Sequence, residues 1–175
     1  MTAPGRGWDG GPPLRAIMDR FWRLAYRLGF RAARLWWRLR RPDHDGAVVA
    51  VWLDGRILAV QQSYRANPSW PGGGIRRGEA PRRELREGLG LEVAPDDLVP
   101  AREMAVDWDF RRERVRVFEL RLPAEPVLRI DNREIVAARF VEPQALLAEA
   151  VLPPFIRAYL GELHPDDQRR PPTGA

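Results

Sequence analysis

One stretch constrains this chain more than any other. Trp70-Pro71-Gly72-Gly73-Gly74-Ile75-Arg76-Arg77-Gly78-Glu79 runs on into Arg83-Glu84-Leu85-Arg86-Glu87-Gly88-Leu89-Gly90-Leu91. Three consecutive glycines permit backbone conformations closed to other residues and let a ligand approach the main chain. The charged segment reads as a short helix on which Glu84 and Glu87, three apart, share a face. Gly90 reads as the residue that ends it in a left-handed conformation. A glycine loop able to lie against phosphate oxygens, followed by paired carboxylates for a hard cation, is what metal-assisted attack on a phosphoanhydride needs.

These residues resemble the Nudix box, G-x5-E-x7-R-E-U-x-E-E-x-G-U with U aliphatic. Gly73 and Glu79 match its opening Gly and Glu, Arg83-Glu84-Leu85 its R-E-U, Glu87 its next Glu, and Gly90-Leu91 its closing pair. Two departures stand out. Glu79 and Arg83 are four apart where the box has eight. At about 100° and 1.5 Å per residue this removes roughly one helical turn and leaves the facing about 40° out of phase. Gly88 stands where the box has the second Glu of its E-E pair, commonly a metal ligand. Further on, Glu134 lies six residues before Phe140, which is similar to the family segment whose Glu completes the metal site or positions the water.

The resemblance implies an α/β chain: an α/β/α sandwich around a mixed sheet over residues 46–162, preceded by an amphipathic helix. It implies a metal-dependent pyrophosphohydrolase acting on a nucleoside diphosphate linked to another group. Mg²⁺ or Mn²⁺ would be held by Glu84 and Glu87, with Glu79 and Glu134 in support, and Glu84 would act as ligand or orient Arg83. Catalysis would then fall to Glu84, Arg83 and Glu87. Gly72, Gly73, Gly74, Arg76 and Arg65 are the expected substrate contacts; Arg77 and Tyr64 lie nearby. The shortened box leaves an alternative, a Nudix-fold nucleotide-binding or regulatory module with little or no turnover.

Residues 14–41 form the second informative stretch. Arg20, Arg23, Arg27, Arg31, Arg34 and Arg38 recur at steps of three and four, one stripe along a helix that Gly29 is expected to bend. Between them stand Phe21, Trp22, Leu24, Tyr26, Leu28, Phe30, Leu35, Trp36, Trp37 and Leu39, an apolar face too wide for water alone. Packing on the domain or on a second copy is favoured over a membrane surface, and nucleic acid comes last. Arginines in every turn argue against a membrane span or a cleaved signal peptide.

The chain of 175 residues suits one domain with a flexible leader, 1–13, and a polar tail, 163–175. Its formal charge of +5 favours anionic ligands. The absence of Cys excludes disulfides and thiolate chemistry and fits a cytoplasmic setting. Residues 42–46 read as a turn, 47–53 and 56–62 as a hairpin about Asp54-Gly55, 102–108 and 113–122 as a strand pair, and 137–141 as a last strand. Residues 143–150 and 154–160 read as helices. His44 and His164 show no zinc-site spacing, and neither a P-loop nor a G-x-S-x-G elbow occurs.

Overall fold

The computed structural model describes residues 12–74 and 80–163. Arg76, Arg77 and Glu79, the leader up to residue 11 and the tail from His164 onward lie outside the described residues.

Helix α1, Pro12–Arg40, opens on two prolines, which suit a first turn whose N–H groups have no helical partner. It is continuous through Gly29. The helix ends at Arg41, whose φ of 45° is left-handed, followed by Pro42.

Strand β1, Asp43–Leu53, begins where a turn was expected over 42–46. The local Asp and Gly are overridden because β1 pairs in parallel with β5, Arg111–Arg121, from Asp43↔Arg112 to Trp52↔Arg121. β2, Arg56–Gln62, returns through Asp54 and Gly55, with φ of 48° and 77°, the double positive φ of a tight hairpin turn. β3, Gly72–Gly74, lies antiparallel to β1. β4, Val99–Trp108, and β5 form a hairpin turned by Asp109 and Phe110, both also left-handed. β6, Ile135–Val141, pairs antiparallel with β2. The sheet order is β4-β5-β1-β2-β6, with β3 alongside β1. Because only β1 and β5 run parallel, the sheet is mixed, as expected.

Alternation along β1 builds two cores. Val48, Ala50 and Trp52 face α4, Pro154–Gly161, packing with Phe155, Ile156 and Tyr159. Val49 and Val51 face α2, Ala80–Leu89, packing with Leu85 and Leu89. Helices thus cover both faces of the sheet, the expected sandwich. α3, Pro143–Leu147, stops short of the expected Ala150. The chain must leave the helix there to bury Leu152 and enter Pro153-Pro154, and a residue before proline disfavours helix.

Candidate active site

The glycines expected as a loop are the strand β3, wedged between β1 and α2. A Cβ on Gly72 would run into the carbonyl oxygen of Ala47. A Cβ on Gly73 would sit 3.0 Å from Glu84 Oε1, so the bare backbone lies directly against that carboxylate. Helix α2 presents Glu84 here and is closed by Gly90, whose φ is 69° and whose N–H donates to the Arg86 carbonyl at 3.0 Å.

Glu84 is partly shielded, its side chain 29% exposed, whereas Glu87 is 61% exposed. Arg83 stands beside both, 3.5 Å from Glu84 Oε1 and 4.0 Å from Glu87 Oε2. From across the site comes Glu134, in the turn leading into β6. Its Oε1 accepts from Tyr64 Oη at 2.8 Å, and its own N–H donates to Asp131 Oδ2 at 3.1 Å. Burial raises the Glu134 carboxyl above the usual glutamate range; the Tyr64 hydrogen bond opposes this, while Glu84 and Asp131 add to it. Tyr64 is itself raised, first by burial and then by Glu134, so it stays a hydroxyl donor.

Glu84, Glu87, Gly88, Asp131 and Glu134 line one polar recess of about 130 Å³. Among the described residues no three acidic or histidine side chains close into a ligand cluster. The donor set nonetheless suits a hard divalent cation. It is carboxylate oxygen throughout, and the mutual repulsion of Glu84 and Glu134 is what a cation between them would relieve. Gly88 stands where the box has its second Glu; a Cβ there would meet the tip of the Ile135 side chain, Cδ1 at 2.7 Å, which has to swing aside to admit it.

Glu84 and Glu134 also line a larger cleft of about 660 Å³, roofed by α1. Trp22, Tyr26, Phe30 and Trp37 form that roof. Tyr26 stacks on Tyr64 at 6.0 Å between centroids, and Phe30 lies 4.9 Å from the same ring. Arg23 and Arg27 bond Asn132 and the Ser63 carbonyl, and Arg34 pairs with Asp109. Arg65 lines the cleft, but its guanidinium is held by Asp109 at 3.1 Å and lies over Phe30.

A family model for the NUDIX domain matches residues 43–160. The chain belongs to the Nudix family. Helix α1 precedes the matched region, so the cleft roof lies outside the Nudix domain proper. Among solved structures, the Nudix chain is similar to a MutT protein from Methanosarcina mazei Go1, at 17% identity over 69% of this chain and 92% of that one, with a TM-score of 0.57. A MutT NUDIX hydrolase from Burkholderia pseudomallei aligns at 20% identity over 70% and 98%, with a TM-score of 0.55. The E. coli dihydroneopterin triphosphate pyrophosphohydrolase aligns at 18% over 68% and 93%, with a TM-score of 0.57. Such identities establish the shared fold. No curated protein matches the chain.

His44, Arg111 and Glu113 also line the cleft, none of them expected as a site residue from the sequence. His44 is held below its ordinary pKa by burial and by Arg111. Arg111 pairs with Glu113 and stacks 3.9 Å over Trp37. The signal for His44 was obscured by the misread turn; for Tyr26, Phe30 and Trp37 it was the i, i+4, i+11 stripe inside the wider apolar face.

Proposed function

We propose that the chain is a metal-dependent Nudix hydrolase that cleaves a nucleoside diphosphate linked to another group, by attack of water on phosphorus. The observation that carries this reading is the meeting of Glu84, from the shortened box, with Glu134, from the opposite side of the recess. Gly73 provides backbone free of a side chain beside Glu84, and Gly74 the same beside His44, where phosphate oxygens can approach. Glu134, oriented by Tyr64, faces Glu84 across the recess, where it completes the metal site or positions the attacking water. Arg83 sits where it holds Glu84 in position or meets the leaving phosphate. A Mg²⁺ or Mn²⁺ ion held by Glu84, Glu134 and Glu87 would neutralise charge on the phosphoanhydride and acidify the water. The aromatic roof of α1 fits a planar base or an apolar group on the substrate.

Phosphate release from a panel of nucleoside diphosphate derivatives, with Mg²⁺ or Mn²⁺ and again with chelator, tests this. Metal-dependent turnover is expected. A folded protein without turnover on any member, with or without metal, would overturn it. The alternative of a nucleotide-binding module is favoured by one observation, Gly88 in place of the second Glu, which leaves the box one carboxylate short. Nucleotide binding without turnover would select it.

A further inference from the structure

Helix α1 has two opposite apolar sides, and only one is used. Trp22, Tyr26, Phe30, Ala33 and Trp37 face the cleft. Ile17, Phe21, Leu24, Leu28, Leu35 and Leu39 are exposed, from 54% to 76%. At about 100° per residue these six fall within an arc of about 60°, nearly opposite the aromatic stripe. We infer that this outer stripe is a docking surface for an anionic lipid bilayer, on which the helix lies flat with the catalytic domain behind it.

Charge selects that occupant. α1 carries eight arginines and one acidic residue, Asp19. That is more positive charge than the +5 of the entire chain, so the rest of the protein is net acidic. Asp19 is turned inward, paired with Arg133 at 3.2 Å. The outer side of the helix therefore holds no carboxylate. Arg20, Arg31 and Arg38 border the apolar stripe and make no ion pair among the described residues. A second copy packed on this stripe would bring arginines against arginines, with the one acid of each helix turned inward and paired to Arg133. Anionic headgroups complement them, with the long side chains reaching outward while the apolar stripe enters the interface. No described helix is long and apolar enough to cross a membrane, so the contact is lateral.

The test is sedimentation of the full chain with vesicles of phosphatidylcholine alone or mixed with phosphatidylglycerol. The expected result is association with the mixed vesicles only, weakened by added salt. The double variant Leu28→Glu, Leu35→Glu should lower that association by at least about tenfold while its circular dichroism and melting temperature stay unchanged. Arg20→Gln with Arg31→Gln should weaken it less and flatten the salt dependence. Absence of association with either vesicle, or equal association of wild type and the Leu variant, overturns the inference. So does a dimer in light scattering that the Leu variant converts to monomer, which would make a second copy the occupant.

Discussion

Glu134 illustrates how one side chain ties chemistry to stability. Its carboxyl binds a proton more tightly in the folded protein than in the unfolded chain, because burial penalises the anion. The stabilising contribution of that proton is complete below the unfolded glutamate pKa and is lost as pH rises through the raised folded value. Above that raised value the wild type holds a costly anion. Glu134→Gln, which keeps an acceptor for Tyr64, should melt higher than wild type at pH above the folded pKa, with the gap closing in acid. Melting curves across pH check this, and such a trade of stability for a reactive group is common at functional sites. Gly88 is the complementary case, a position where the box has a carboxylate and this chain has none. Gly88→Glu requires the tip of the Ile135 side chain to swing aside and adds a carboxylate to the acidic recess, so it should tighten Mg²⁺ binding, read by titration calorimetry.

Among the secondary elements, α1 departs most from a bare Nudix domain. Its inward stripe is fastened by Tyr26 and Phe30 on Tyr64 and by Arg34 on Asp109. Phe30→Ala removes a half-buried ring and should cost about 2 kcal/mol, read as faster amide exchange in α1 with β1 and β5 unaffected. The helix itself was legible from its arginine spacing, and so was the hairpin at Asp54-Gly55. Which side of α1 would pack was not, because both stripes are apolar and only the position of Tyr64 distinguishes them. β1 was misread at its start because Asp43 to Gly46 has turn composition, and its parallel partner lies about seventy residues away in sequence. Glu84 was legible from the box, and Glu134 from its spacing to Phe140. Tyr64 as the donor to Glu134 was invisible, since nothing local links residues on two different turns.

Taken together, the fold brings a helix from one side of the sheet and a turn from its far edge to one recess, with glycine backbone between them and α1 overhead. If that recess is the catalytic centre, Glu84 and Glu134 act as a unit. The measurement to make is kcat/KM for wild type, Glu84→Gln, Glu134→Gln and the double variant on the best substrate of the panel. Each single change should cost at least about 100-fold. The double should lose little more than the worse single, as expected for groups that serve one step. Losses that multiply, or singles within a few-fold of wild type, would place the chemistry elsewhere on the molecule.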